Sequence, residues 1–132
     1  AIDAYLADGD VFVAEQAGIV VGHAQVVAAG TGTAELKNMA VESGHRGTGI
    51  GRALVEAVVQ YCHDRGVPRL RVATAAADTG NLRFYQRQGF RLHHIERDAF
   101  TPTTGYPADL VLDGIPLRDR VWLDMELACP AS

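Results

Sequence analysis

Lysine is almost missing from this chain. Lys37 is one of 12 cationic residues, and the other 11 are arginines. Arginine's planar fork makes bidentate contacts with carboxylates and phosphates that a lysine point charge does not. A GC-rich genome would give the same skew. Cysteine is scarce as well. Cys62 and Cys129 are far apart and form no C-x-x-C pair, which argues against a disulfide framework or a cysteine zinc site. No H-E-x-x-H spacing occurs either, so no metal is expected. There is no run of about 18 apolar residues, the length that a membrane-crossing helix needs. Nor is there an excess of positive charge. The net charge is −4 and the pI about 5.7, which speaks against a nucleic-acid partner. The first residues lack the basic and apolar regions of a secretory signal, so a reducing, cytoplasmic setting is expected. The chain opens on Ala1 rather than methionine.

What is present fits one globular domain. The 132 residues are 48% hydrophobic and 21% charged, against about 150 residues for a typical domain. Residues 2–7 read as the tail of a helix. Residues 11–15 and 19–29 read as strands joined by the turn Ala17-Gly18, and 34–41 as a third strand, giving an antiparallel meander. From Ile50 the period changes. Ile50, Ala53, Leu54, Ala57, Val58, Tyr61 and Cys62 form an apolar stripe at helical spacing, predicting a helix over about 49–65 that Gly66 and Pro68 terminate. A strand over 69–76 completes a βαβ unit, whose two strands should be parallel. Next come a short helix at about 81–88, a strand over 90–97, a loop over 101–117 and a last strand over 120–127. The expected fold is α/β with a mixed sheet, one domain over 1–132.

The segment Gly44-His45-Arg46-Gly47-Thr48-Gly49-Ile50-Gly51-Arg52 carries the strongest chemical signal. Glycine permits positive φ and close approach of backbone to a ligand. The first turn of a helix leaves N–H groups unpaired and partially positive, so glycines leading into a helix form a phosphate cradle. Arg46 and Arg52 flank it. A P-loop is excluded because Ile50 stands where its lysine must be. A dinucleotide fingerprint is excluded because Arg52 stands where its third glycine must be.

Arg46-Gly47-Thr48-Gly49-Ile50-Gly51 resembles R/Q-x-x-G-x-G/A, the acetyl-CoA signature of the GNAT N-acetyltransferases. Glu35-Leu36-Lys37-Asn38-Met39-Ala40-Val41 is similar to that family's fourth strand. Asn81, Phe84-Tyr85 and Gly89-Phe90 are similar to its N…FY…GF element. The resemblance spans about residues 8–127. It implies a GNAT-like fold with a splayed central strand pair. It also implies that the strand and helices which usually open the family's fold, and wall its acceptor pocket, are cut short here or lie outside this chain.

The resemblance further implies a cofactor site and a reaction. Coenzyme A pyrophosphate would rest on Arg46, Gly47, Thr48, Gly49, Ile50, Gly51 and Arg52. The pantetheine arm would run along Met39, Ala40 and Val41. Asn81 would contact the cofactor, unless it is simply the cap of its helix. Tyr85 would serve as general acid to the departing thiolate, unless it only packs against Phe84. Glu35 would be the general base for the amine, unless it is a solvated strand residue; His23 is its rival. His45 would lie near phosphate. His93 and His94, being adjacent, should point to opposite faces of their strand. Tyr106, Asp109 and Asp113 are candidates for a further acceptor wall. Cys62 falls on the helix stripe and Cys129 in the tail, so neither suggests a covalent nucleophile. The implied activity is transfer of acetyl from acetyl-CoA, as co-substrate, to a small-molecule or protein amine by direct attack. The alternatives are an acyl-CoA sensor without turnover and an interaction domain. The last strand, apolar on one face and near a chain end, suggests an edge that pairs with a second copy in a homodimer.

Overall fold

The computed structural model describes residues 2–7 and 9–127, with side chains from residue 10 onward. Cys129 lies outside the described residues. The chain divides into two compact units. One runs up to Leu70 and takes in Glu126 and Leu127; the other is Arg71–Met125.

The first unit is built on four antiparallel strands in the order β1-β2-β3-β4: β1 Ile2–Ala7, β2 Gly9–Gln16, β3 Ile19–Ala28 and β4 Thr33–Val41. Residues 2–7 are therefore a strand, not the end of a helix. Alanine and leucine favour helix locally, but six residues are too few to repay helix nucleation. Pairing with β2, from Ile2 opposite Ala14 to Ala7 opposite Gly9, gives this backbone ladder partners instead.

Helix α1, Ile50–Asp64, comes after β4. Its stripe behaves as the spacing predicts: Ile50, Leu54, Val55, Val58 and Cys62 are all buried. They pack with Phe12, Val21, Ala24, Val26 and Leu36 of the strands into the core of this unit. Tyr61 meets Phe12 edge-on, with ring centroids 5.2 Å apart. The helix comes close to β3 at Gly22. A Cβ there would lie 3.1 Å from Ile50 Cγ2, 3.2 Å from the Ala40 carbonyl oxygen and 3.2 Å from Leu54 Cδ1.

The second unit holds most of β5, Arg69–Ala75, with α2, Thr79–Arg87, then β6, Arg91–Glu96, and β9, Arg120–Glu126. Here the strand order is β5-β9-β6. Strand β9 thus has a neighbour on each side, and Val121 and Leu123 are buried. The free edge expected of the last strand, which motivated the homodimer, is not there.

The connection from β6 to β9 is more ordered than its prolines suggest. Pro102–Thr104 forms a 3-10 turn, and β7 Val111–Leu112 pairs with β8 Ile115–Pro116. Asp113 and Gly114 join β7 to β8 with φ of 51° and 80°. Two central residues with positive φ match the twist of a tight hairpin.

The Gly22 contact yields a stability prediction. Replacing Gly22 with Val adds atoms where even a Cβ is crowded, so the variant should lose about 1–3 kcal/mol by chemical denaturation. An unchanged midpoint would show that β3 and α1 can move apart freely.

Candidate active site

In the first unit β4 leads into the cradle. A β-bulge interrupts the strand first. His23 pairs with Ala40 and Gln25 with Lys37, so Asn38 and Met39 together face the single residue Ala24. Asn38 has φ 51° and donates through Nδ2 to Gln25 Oε1 at 2.9 Å. A bulge of this kind bends a strand and re-aims the residues on its far side; here those are Ala40 and Val41, with Met39 in the bulge itself.

Beyond β4, Ser43–His45 make a 3-10 turn. The Thr48 hydroxyl donates to the His45 carbonyl and ties the turn together. Gly47 and Gly49 have φ of 78° and 88°, and a Cβ on either would meet nothing within 4 Å. Their role is conformational, and the space beside them is open. The first bond of α1 runs from Ala53 N–H to the Gly49 carbonyl at 3.0 Å. The N–H groups of Gly49, Ile50, Gly51 and Arg52 therefore come before the helical ladder. Gly49, the N-cap, has no side chain to satisfy them. Arg46 is exposed and carries no ion pair among the described residues. Arg52 pairs along the helix with Glu56 at 2.9 Å; both are well exposed. Such a pair is worth little and gives way easily to a stronger anion.

Glu35 and His23 occupy different places in this unit. Glu35 is buried at 7% exposure, opposite Val27, and has interactions within the protein. It is not a solvated strand residue. His23 is exposed and lies directly across from Ala40. Five positions separate Glu35 from Ala40, about 16 Å of extended strand. His45 is half-buried in the 3-10 turn. Cys62 is buried, and desolvation pushes its thiol up to about 11, with Asp10 adding to the rise and Arg65 opposing it. Thiolate is the nucleophilic form, so Cys62 is inert at neutral pH.

In the second unit α2 carries Asn81 and Tyr85. The helix cap is Asp78, whose carboxylate accepts from the Asn81 N–H at 2.9 Å. Asn81 is thus not the cap. Its side chain reaches β5 instead and donates from Nδ2 to Thr74 Oγ1 at 3.3 Å. Tyr85 is buried, at 5% exposure, with its ring edge-on to Phe84 and Phe90 at 5.2 and 5.6 Å. Burial, reinforced by the Asp78 carboxylate, pushes its phenol up to about 12.

The histidine pair overturns an expectation. His94 pairs with Trp122 and Leu92 with Leu123, so His93 is an extra residue in β6. The bulge brings the two rings together, with Nδ1 atoms 2.7 Å apart, and His94 stacks on Trp122. Of the proposed acceptor wall, Tyr106 packs edge-on against Phe100 at 5.0 Å. Asp109 has φ 64° and lines an open cavity of about 660 Å³ with Phe100, Thr101, Leu110 and Arg118. Asp113 sits in the β7–β8 turn. Sequence reasoning passed over this hairpin although Asp113-Gly114 is its standard signal; Pro116 disguised the second strand.

With the cradle in view, the comparisons with known proteins decide the family. Residues 2–90 match the profile described as Acetyltransferase (GNAT) family. The chain belongs to that family. It is an acyltransferase with the GNAT fold. It is similar to an IAA acetyltransferase from Bacillus cereus ATCC 14579, at 33% identity and a TM-score of 0.84, covering 91% of this chain and 79% of that one. A GNAT family acetyltransferase from Elizabethkingia anophelis, solved with acetyl-CoA bound, is 29% identical with a TM-score of 0.84, covering 91% and 77%. The uncharacterized N-acetyltransferase YvbK of Bacillus subtilis is 28% identical over 126 residues, 96% of this chain and 80% of YvbK. Of some other curated relatives the chain spans only 29 to 56%. Among the described residues no group of three or more His, Cys, Asp or Glu is placed to hold a metal ion, and no helix is long and apolar enough to cross a membrane.

The raised phenol gives a titration prediction. Tyr85 ionises near 10 in the unfolded chain and about 12 when folded. The folded state holds the proton more tightly, so this contribution to stability is complete below pH 10 and disappears as pH climbs through about 12. Tyrosinate absorbance should show a late step near pH 12 that Tyr85→Phe removes. Ionisation of Tyr85 near pH 10 would mean that its ring is not held as described.

Proposed function

We propose that this GNAT chain transfers acetyl from acetyl-CoA to a primary amine by direct attack within a ternary complex. The observation that carries this reading is the row of amides from Gly49 to Arg52, which precede the helical ladder beside open space and have no capping side chain. Such donors, with the partial charge of a helix start, suit a diphosphate. Arg46 has no ion pair among the described residues and can join them, and Arg52 has only a weak pair to give up. The residues present therefore fit the nucleotide end of coenzyme A. The backbone of Met39, Ala40 and Val41, at and beyond the bulge, is assigned to the pantetheine arm, and Asn81 is assigned a contact with it.

Acetyl-CoA, when bound, supplies an acyl group activated as a thioester. The chain has two chemical tasks. An amine with a pKa near 10 is mostly protonated at neutral pH and must lose a proton before it attacks. Glu35 is assigned this task directly or through water; His23 is the second candidate because it faces Ala40. The other task is to stabilise the departing sulfur, and Tyr85 is assigned to it. At about 12 its phenol is a weaker acid than a thiol near 8.5. Complete transfer of its proton to sulfur is therefore uphill. Tyr85 acts as a neutral hydrogen-bond donor that stays protonated across the physiological range.

Calorimetric titration with acetyl-CoA, combined with thiol release over a panel of primary amines, tests the reading. Saturable binding and amine-dependent thiol release are expected. Tyr85→Phe should bind CoA as before while kcat falls by up to about 10²-fold, the scale of losing one donor to developing negative charge. Glu35→Gln and His23→Gln should separate the two candidate bases through the acid limb of kcat/KM. Binding without turnover of any amine would make the protein an acyl-CoA sensor, and absence of binding would end both readings.

A further inference from the structure

Thr74 has no part in the reading above, yet it is one of only two buried polar or charged residues among those described. It lies on β5 and is 9% exposed. Its hydroxyl oxygen receives the Nδ2 hydrogen of Asn81 at 3.3 Å. Asn81 is held twice, since its backbone N–H is taken by the Asp78 carboxylate at 2.9 Å. One bond fixes where the residue sits on α2. The other fixes how its amide is turned.

That second bond has a chemical consequence. A side-chain amide has a donor end and an acceptor end, and committing one end orients the other. With one Nδ2 hydrogen given to Thr74, the exposed Asn81 keeps its Oδ1 to accept and its second Nδ2 hydrogen to donate. We propose that Thr74 is a positioning residue that fixes the turn of the Asn81 amide, so that its Oδ1 and its second Nδ2 hydrogen are presented together to a ligand amide. A secondary amide such as those of the pantetheine arm offers both a hydrogen and a carbonyl oxygen to such a pair. The inference rests on the proposal that this chain binds coenzyme A. It adds that one hydroxyl on a neighbouring strand sets the orientation of one contact with the arm.

Thr74→Val keeps the shape and removes the hydroxyl, and Thr74→Ser keeps the hydroxyl. Binding of two probes is compared: coenzyme A, and adenosine 3′-phosphate 5′-diphosphate, which has the nucleotide end and no amide arm. Thr74→Val should weaken coenzyme A by about three- to tenfold, the worth of one hydrogen bond. It should leave the nucleotide probe unchanged, and Thr74→Ser should restore coenzyme A binding. In an Asn81→Ala background Thr74→Val should have no further effect. Equal weakening of both probes would make the contact merely structural and overturn the proposal. So would unaltered coenzyme A binding in Thr74→Val. Failure of the unmodified protein to bind coenzyme A would sink the underlying functional reading instead, and the inference with it.

Discussion

The proposed chemistry of this molecule depends on four amides at the start of α1 that precede its ladder and have no capping side chain. They exist because Gly49 enters α1 from the left-handed region, with φ 88°, and brings no side chain to the helix start. A serine or aspartate at that position would satisfy one of these donors internally. Glycine leaves all of them for something else. The open space beside Gly47 and Gly49 fits the same pattern, as does the exposed Arg46, which has no ion pair among the described residues. The stripe from Ile50 to Cys62 then holds α1 against the strands, so the donors are carried on a rigid element.

The second unit handles polarity differently. Here the chemical groups are kept in by packing. Tyr85 lies between Phe84 and Phe90, and its proton is retained by burial and a nearby carboxylate. Asp78 does two jobs at once: it caps α2 and raises the proton affinity of the phenol. One unit thus carries backbone donors at an uncapped helix start, and the other holds a buried neutral hydroxyl.

Much of this was legible in the residues because it rests on period and on glycine. The 3-1-3-1 spacing from Ile50 predicts a helix, and the helix observed is Ile50–Asp64. The cradle can be read because only glycine enters those φ values cheaply. Features set by pairing across the chain were hidden. Ile2–Ala7 has helix-favouring residues, and its partner β2 makes it a strand. The two faces expected for His93 and His94 assume an unbroken pleat, and a bulge breaks it. Strand β9 ends the described chain yet is flanked on both sides, since sequence order does not give spatial order. Asn81 and Asp78 are both good caps, and nothing local favours the one three residues earlier.

The bulge at Asn38 carries a consequence for how β4 can vary. It inserts an odd residue, so Lys37 and Ala40, three apart, line up with Gln25 and His23, two apart. Side chains before and after it are out of phase by one step. Removing one residue there would set Lys37 and Ala40 two apart, like Gln25 and His23, so both pairs would survive on the same face while the bend and added twist of the bulge were lost. The extra residue thus governs the direction in which the end of β4 leaves the sheet rather than which surface its side chains occupy.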